Sequence, residues 1–255
     1  MDKKLDAVKL DAILACRVGG TRLYGKPLQF LDIKNRVTIL EYLVRYIKQV
    51  KHVDSICLAI AEGKQNYGFA ELAERHGWNY VFGSEEDMLG RIIKAAKKYD
   101  TDIALLNSSE SPYFYCDKVD DVFEQMVASQ INFSTISNLP DGSNFVMMDL
   151  ETLQISHQNG SQRNKDSVTS YVFDNKEKFK ISMVKPETKL QRSDIRITVD
   201  YPEDLVFCRR IYRDLKGREG LIKLPDIIDY WDGDVIRRKD VADIGVDWGE
   251  GRLWE

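Results

Sequence analysis

Three cations and three glycines stand close together near the start of the chain. They follow a short apolar run at residues 12–16 and are Arg17, Gly19, Gly20, Arg22, Gly25 and Lys26. Such an apolar run is typical of a buried parallel strand. Glycine has no Cβ, so backbone N–H groups can approach phosphate oxygens, while fixed cations neutralise the phosphate charge. The pattern therefore predicts a polyphosphate-binding loop at the end of a strand.

Two widespread phosphate-loop motifs do not match this stretch. The glycine spacing is not G-x-G-x-x-G, and G-x-x-x-x-G-K-[ST] fails because Pro27 follows Lys26. The sequence therefore indicates a phosphate loop of another kind. The alternative is an ordinary glycine-rich surface turn with solvated cations.

Two carboxylates follow other strand-like segments. Glu110 comes after the apolar run at 102–106, and Asp200 comes after a predicted strand at 196–199 that leads into a helix with Pro202 in its first turn. Ligands bind at the carboxyl ends of parallel strands, where carboxylates suit a hard cation that bridges protein and triphosphate. The alternatives are a solvated Glu110 and an Asp200 that caps the following helix.

The chain alternates strand-like and helix-like segments. Apolar residues at helical spacing over 37–50 and 118–129, together with short apolar runs, predict an α/β fold with parallel strands and right-handed crossovers. A further helix is predicted over 88–98, with Ser84 as its N-cap. We expect a single domain over 1–255. It contains a small mixed β/α extension at 131–185 and a C-terminal tail at 217–255, where Trp248 and Trp254 are candidate anchors.

Composition argues against several classes of partner. The 37 basic and 41 acidic residues give a net charge of -4, so no general affinity for nucleic acid is expected. No apolar run approaches the ~20 residues that span a bilayer, and no signal-peptide pattern opens the sequence. We therefore expect a cytoplasmic protein without a membrane partner. The 4 cysteines and 3 histidines lack C-x-x-C and H-x-x-x-H spacing, which argues against a zinc site.

Several segments carry a resemblance to a known family. ACRVGGTRLYGKPL at 15–28 resembles the loop of the cytidylyltransferases that activate acidic sugars, the CMP-sialic acid and CMP-Kdo synthetases. It is most similar to their relatives of the spore coat polysaccharide branch, from which it departs at Cys16, Gly20 and Tyr24. GSEEDMLGRIIKAA at 83–96, the segment at 165–171 and RITVDYPEDL at 196–205 are similar to further segments of these proteins.

The resemblance implies both a fold and an activity. The fold is a three-layer, mostly parallel sheet with helices on both faces, like that of nucleotide-diphospho-sugar transferases. The activity is a Mg²⁺-dependent transfer of CMP from CTP to an acidic sugar, sugar phosphate or related anionic metabolite, with release of pyrophosphate, for surface glycans. A homodimer is implied as well, in which residues 131–185 supply the acceptor pocket and pack against the second subunit.

The resemblance also implies roles for individual residues. Arg17, Arg22 and Lys26 would be catalytic, and Glu110 and Asp200 would hold Mg²⁺. The acceptor would lie near Arg91, Lys165 and Asp166. Nucleotide binding is implied for Ala15, Arg17, Gly19, Gly20, Thr21, Arg22, Lys26, Ser84, Asn107 and Ser108.

Two rival hypotheses stay open at this point. A glycosyltransferase with a similar α/β sheet would bind a nucleotide sugar and usually carry D-x-D after a central strand, which residues 107–112 lack. A non-catalytic nucleotide-binding protein would bind nucleotide without turnover. Glu110 and Ser167, which depart from the family pattern, motivate this second rival.

Overall fold

A seven-stranded sheet forms the centre of the molecule. The computed structural model describes residue 5, residues 7–216 and residues 220–233. Its strands are β1 (Leu10–Cys16), β2 (Phe30–Asp32), β3 (Val37–Thr38), β4 (Val53–Ala61), β5 (Asn79–Gly83), β6 (Ile103–Leu106), β7 (Phe133–Ile136), β8 (Val146–Asp149) and β9 (Ile181–Val184). The sheet has the order β5-β4-β1-β6-β8-β7-β9, and β2 and β3 form a separate hairpin.

Helices cover both faces of the sheet. They are α1 (Ile39–Ile47), α2 (Tyr67–His76), α3 (Met88–Lys98), α4 (Val119–Ser129), α5 (Leu150–Asn159), α6 (Gln162–Lys165), α7 (Ser170–Asp174), α8 (Pro202–Leu215) and α9 (Leu224–Gly233). Successive side chains of a strand point to opposite faces. Leu14 accordingly joins the core formed with α1, α2, α4, α8 and α9, whereas Ile13 joins the core formed with α3, α5 and α7. The predicted three-layer α/β architecture is confirmed.

Strand β8 is the antiparallel member of the sheet. It pairs antiparallel with β6 and β7, while the other pairings in the sheet are parallel. Strands β7, β8 and β9 come from the predicted extension at 131–185, which therefore continues the main sheet and adds α5, α6 and α7 beside it. Because β8 is reversed, its beginning lies at the same edge of the sheet as the ends of β1 and β6.

Two local predictions are wrong. Helix α3 has the predicted bounds, but its N-cap is Asp87, whose Oδ1 accepts a hydrogen bond from the Gly90 N–H at 2.8 Å, and Ser84 lies outside the helix. Residues 196–199 form no strand. The predicted strand is instead a single bridge between Arg196 and Asp141, because the segment bonds to loops on either side and not to a neighbouring strand.

The C-terminal segment is described in part. Residues 224–233 form α9, which buries Trp231 against Phe207 of α8. The candidate anchors Trp248 and Trp254 lie outside the described residues. Within the described ranges, no helix combines the length and the apolar composition that crossing a membrane requires.

Candidate active site

A cavity of about 700 Å³ opens at the carboxyl ends of β1 and β6. Its apolar part is lined by Ile13, Met88, Ile92, Leu106, Phe145, Val146 and Val168. Its polar part is the loop that follows β1, together with residues 107–110 after β6. The cavity thus lies where the parallel strands predict a ligand site.

Most of the residues implied by the sequence line this cavity. They are Ala15, Arg17, Gly19, Gly20, Thr21, Arg22, Lys26, Arg91, Asn107, Ser108, Glu110 and Asp166. Asp200 lies at the same place, in contact with Lys26. Ser84 and Lys165 do not line the cavity: Ser84 is exposed, and Lys165 is half-buried on α6.

The glycines allow the loop after β1 to turn sharply. Gly25 has φ 61°, a left-handed conformation that favours glycine, and its N–H donates to the Val18 carbonyl at 2.8 Å. A Cβ on Gly20 would lie 2.7 Å from the Leu23 carbonyl oxygen. The backbone of the loop therefore favours glycine at positions 20 and 25. Gly19, Gly20 and Thr21 lie along the cavity wall.

One ammonium group joins the two predicted metal-binding carboxylates. Lys26 Nζ lies 2.7 Å from Asp200 Oδ1 and 3.2 Å from Glu110 Oε1. The side chains of Lys26, Asp200 and Glu110 are 11%, 15% and 30% exposed, so the cluster is largely shielded from water. Arg22 Nη2 approaches the same Asp200 oxygen at 2.8 Å, and its guanidinium lies over the ring of Tyr201. Residues that are far apart in the sequence thus converge at one end of the loop.

Hydrogen bonds between two loops bring the carboxylates together. The Val199 N–H donates to the Glu110 carbonyl at 3.2 Å, and Ser111 Oγ donates to Thr198 Oγ1 at 2.9 Å. These bonds align the segment before Asp200 with the segment around Glu110. Asp200 is therefore positioned by a loop and not by a strand end, which corrects the prediction from the sequence.

Arg196 holds Asp200 from the side opposite Lys26. It is a buried guanidinium that donates to Asp200, to Asp141 at 2.9 Å and to Asp204. Asp204, in the first turn of α8, also accepts through Oδ2 from the N–H of Asp200 at 2.8 Å and from the N–H of Tyr201, the N-cap residue, at 2.9 Å. The alternative that Asp200 caps this helix is therefore wrong, because Asp204 does so and leaves the Asp200 carboxylate to the cations.

The two carboxylates differ in acidity. Burial by itself raises the pKa of Asp200, but the hydrogen bonds from Lys26 and Arg196 outweigh it, so this pKa lies below the ordinary 3.8. Burial also raises the pKa of Glu110, and so does the nearby Asp200 charge. The attraction of Lys26 and Arg22 offsets this only in part, so that pKa lies above the ordinary 4.5. Asp200 is thus firmly ionised, whereas Glu110 takes up a proton more readily.

The donor set suits Mg²⁺ bound together with phosphate. Mg²⁺ prefers oxygen ligands and usually takes one or two protein carboxylates, completing its shell with water and substrate phosphate. Glu110 and Asp200 supply two such carboxylates beside the glycine loop, and their shared contact with Lys26 shows that the position favours positive charge. No cluster of three or more His, Cys, Asp or Glu suited to a metal occurs among the described residues.

Arg91 has a structural role that the sequence did not predict. It is buried on α3 and donates to the backbone carbonyls of Ala59, Ser84 and Glu85. Burial lowers the pKa of this guanidinium, and the nearby Arg17 charge lowers it further. Arg91 therefore fixes the backbone at residues 84–85, at the entrance to α3.

Two contacts that set the shape of the site were missed from the sequence. Asn66 is fully buried between β4 and α2 and bonds to the loop after β1. His157 on α5 lies 2.7 Å from Asp87 through Nε2 and Oδ2, which joins α5 to the start of α3. The bond from Val18 to Asn66 carries no local signal, because 48 positions separate the two residues in the sequence.

Comparison with known proteins identifies the family. The family model described as "Cytidylyltransferase" matches residues 12–222. The chain belongs to the cytidylyltransferase family. This match covers every site segment described above and makes the protein a nucleotidyltransferase.

Relatives of this cytidylyltransferase support the assignment. It is 28% identical to an uncharacterized protein of Methanocaldococcus jannaschii over 228 residues, which cover 88% of this chain and 91% of that protein. It is 21% identical to the spore coat polysaccharide biosynthesis protein SpsF of Bacillus subtilis, over 79% of this chain and 85% of SpsF. The predicted resemblance to the spore coat branch is confirmed.

Solved structures share the fold of this cytidylyltransferase. A cytidylyltransferase from Leptospira borgpetersenii matches with a TM-score of 0.80 and 22% identity, over 96% of this chain and all of that one (100%). A CMP:2-keto-3-deoxy-manno-octonic acid synthetase complexed with CTP matches with a TM-score of 0.60 and 14% identity, over 81% and 99% of the two chains. At these identities the likeness concerns the fold, and it confirms the nucleotidyltransferase-like α/β prediction.

Proposed function

We propose that this cytidylyltransferase transfers CMP from CTP to an anionic small-molecule acceptor and releases pyrophosphate. The observation that carries the proposal is the cluster of Lys26, Glu110 and Asp200 beside the glycine loop, at the end of a cavity large enough for a nucleotide. The SpsF relative and the solved synthetase bound to CTP agree with cytidine as the base and with a role in surface polysaccharides.

The proposed reaction is a displacement at the α-phosphorus of CTP. An acceptor oxygen forms a bond to that phosphorus, the bond between the phosphorus and the bridging oxygen breaks, and pyrophosphate leaves with the electron pair. Such chemistry depends mainly on positioning and on neutralisation of charge. An acceptor that attacks through a phosphate oxygen is already ionised and needs no base, whereas an acceptor that attacks through a sugar hydroxyl gives up its proton to solvent as the bond forms.

The cations of the loop have distinct tasks in this proposal. Arg17 is exposed at the cavity and forms no ion pair or hydrogen bond with another described residue, so it is available to a phosphate. Lys26 is held by two carboxylates and stabilises charge at one fixed position. Arg22, which pairs with Asp200 and stacks on Tyr201, screens the charge of the leaving group at the outer side of the loop.

Glu110 and Asp200 are the residues that would hold Mg²⁺. The metal, when bound, would neutralise phosphate charge and polarise the phosphorus–oxygen bonds. Asp200 provides a permanently ionised ligand, since Lys26 and Arg196 keep its pKa low. Glu110 provides a second carboxylate, whose pKa burial raises above the ordinary 4.5.

The acceptor side of the proposal rests on residues 131–185. Asp166 lines the cavity, and Arg91 lines it with its guanidinium engaged by backbone carbonyls. Lys165 and Ser84 are retained as proposed contacts to acceptor and nucleotide, and from their present positions each would have to approach the cavity when substrate binds. We further propose that the enzyme works as a cytoplasmic homodimer joined through this region.

Release of pyrophosphate tests the proposed reaction. The purified protein is mixed with CTP and Mg²⁺ and offered a panel of acidic sugars and sugar phosphates, with each acceptor omitted in turn. We expect release that requires CTP, Mg²⁺ and one acceptor class. Binding of CTP without turnover across the panel would favour the non-catalytic rival. A parallel reaction offers a nucleotide sugar in place of CTP, and release of its nucleoside phosphate would favour the glycosyltransferase.

A further inference from the structure

Asn66 lies outside the glycine loop, in the turn between β4 and α2, and is 0% exposed. It is the N-cap residue of α2, a position where an asparagine side chain usually accepts a hydrogen bond from the helix backbone. Here its side chain makes no such bond. Oδ1 accepts from the Val18 N–H at 2.8 Å and Nδ2 donates to the Glu62 carbonyl at 3.1 Å. The side chain is therefore committed to the loop and not to its own helix.

The bond to Val18 closes the base of the glycine loop. The Val18 carbonyl accepts from the Gly25 N–H at 2.8 Å, so Asn66, Val18 and Gly25 form a continuous series of hydrogen bonds across it. Helix α2 supports the far end of the same loop, because a Cβ on Gly68 would lie 3.5 Å from Leu28 Cδ1. Residues 19–21, which lie between these fixed points, line the cavity.

We propose that Asn66 is a positioning residue for the donor phosphates, acting through the loop backbone without touching the ligand. The inference deepens the proposed function, since it takes CTP as the ligand of the loop. A loop that is already ordered loses less conformational entropy on binding. If only a fraction of the protein has the loop ordered, the apparent affinity for CTP is reduced in proportion to that fraction.

The variant Asn66→Ala tests the proposal with two readouts. Hydrogen exchange of the free protein should show the Val18 amide exchanging about tenfold faster, since a net buried hydrogen bond is lost. The KM for CTP should rise by about the same factor, with a smaller change in kcat, because the loop is disordered before binding and not in the chemical step. A role in stability alone would lower Tm and speed the exchange of the Val18 amide, whose acceptor is lost, but would leave the KM for CTP unchanged.

Asn79→Ala is the matched control. Asn79 Nδ2 donates to Ser55 Oγ at 3.2 Å at the beginning of β5, at the opposite edge of the sheet from the cavity. This variant also removes a partly buried asparagine hydrogen bond. It should lower Tm while the exchange of Val18 and the KM for CTP stay at their wild-type values.

Asn66→Asp keeps the test decisive if the alanine variant does not fold. Aspartate retains an acceptor for the Val18 N–H and donates to the Glu62 carbonyl only when it is protonated, so Val18 should stay protected in the folded variant. Fast exchange of Val18 in folded Asn66→Asp, or a wild-type KM for CTP in folded Asn66→Ala, would overturn the proposal. A wild-type protein that fails to bind CTP would contradict the proposed donor, whereas the exchange experiment without nucleotide decides separately whether Asn66 holds the loop.

Discussion

Lys26 Nζ lies 2.7 Å from Asp200 Oδ1, although 174 positions separate the two residues in the sequence. The contact joins the glycine loop after β1 to the loop before α8. It also brings Lys26 to Glu110, so one cation serves two carboxylates that would otherwise repel each other. This relationship defines the chemical end of the cavity and underlies the first three predictions.

Replacing Lys26 by alanine should reduce kcat/KM for CTP by ~10²-fold or more, because a fixed cation that stabilises the transition state is lost. The measurement is pyrophosphate release under saturating acceptor. Lys189→Ala is the control, since Lys189 pairs with exposed Glu187 at the surface and does not line the cavity. Wild-type turnover in folded Lys26→Ala would remove this residue from the mechanism.

Asp200→Asn should abolish most of the Mg²⁺-dependent activity, by ~10²-fold, because the amide is a much weaker ligand than the firmly ionised carboxylate. Activity is measured across a Mg²⁺ titration. Asp120→Ala serves as a remote control: its carboxylate accepts from the Lys51 and His52 N–H groups, so it should lose about 1 kcal/mol of stability and no activity. A lower Tm with an unchanged Mg²⁺ titration in Asp200→Asn would assign Asp200 a structural role only.

Glu110 should set the acidic limb of the pH profile. Its pKa lies above the ordinary 4.5 because burial outweighs the attraction of Lys26, and it must be ionised to bind a metal. The logarithm of kcat/KM should therefore begin to fall at a pH above 4.5, and Glu110→Gln should have low activity without this limb. An acidic limb that is unchanged in Glu110→Gln would assign it to another group.

The same raised pKa predicts a change in stability. A carboxyl whose folded-state pKa is raised contributes most below its unfolded pKa, and this contribution is lost as pH rises through the folded value. Ionised Glu110 is thus unfavourable for folding at pH 7, and Glu110→Gln should have an equal or higher Tm there. Glu110→Gln should therefore lose activity without losing stability. A clearly lower Tm of this variant at pH 7 would contradict the role given to Glu110.

Asp87 and Ser84 provide a paired test of the start of α3. Asp87→Ala should lower the free energy of unfolding by about 1 kcal/mol through loss of the N-cap, whereas Ser84→Ala should change it by less than about 0.5 kcal/mol. Urea unfolding of both variants measures this. Burial by itself raises the Asp87 pKa, but hydrogen bonds from His157 and the Gly90 N–H bring it below 3.8. The loss of unfolding free energy in Asp87→Ala should therefore be largest at pH 7 and decrease as pH falls through that pKa. Equal effects of the two substitutions would contradict the assignment of the cap.

Local patterns predicted most of the elements. The bounds of α3 follow from apolar spacing, and the end of α2 follows from Gly77, which takes a left-handed conformation with φ 68°. The strand predicted at 196–199 does not form, and the reason is physical. Ile195, Ile197 and Val199 are fully buried at every second position, as in a strand, but Arg196 and Thr198 between them are buried too. The backbone of the segment bonds to the loops at 110 and 141, so no ladder forms.

The site could be predicted in its residue types and only in part in its geometry. The glycines and cations after β1 are adjacent in the sequence, so the loop was recognisable. The pairing of Lys26 with Asp200, the support of Asp200 by Arg196 and the anchoring of Val18 by Asn66 each join distant segments. Such contacts depend on the packing of the whole sheet, which no local pattern encodes.

The measurement that tests the central claim most directly is a thermal-shift screen with CTP, UTP, GTP and ATP, each with and without Mg²⁺. A ligand at about 100 times its Kd adds roughly 2.7 kcal/mol to the free energy of unfolding, enough for a clear rise in Tm. We predict that CTP with Mg²⁺ gives the largest rise and that Lys26→Ala and Asp200→Asn lose most of it. A larger rise with another nucleotide would change the donor, and no rise with any nucleotide would contradict the proposed donor site.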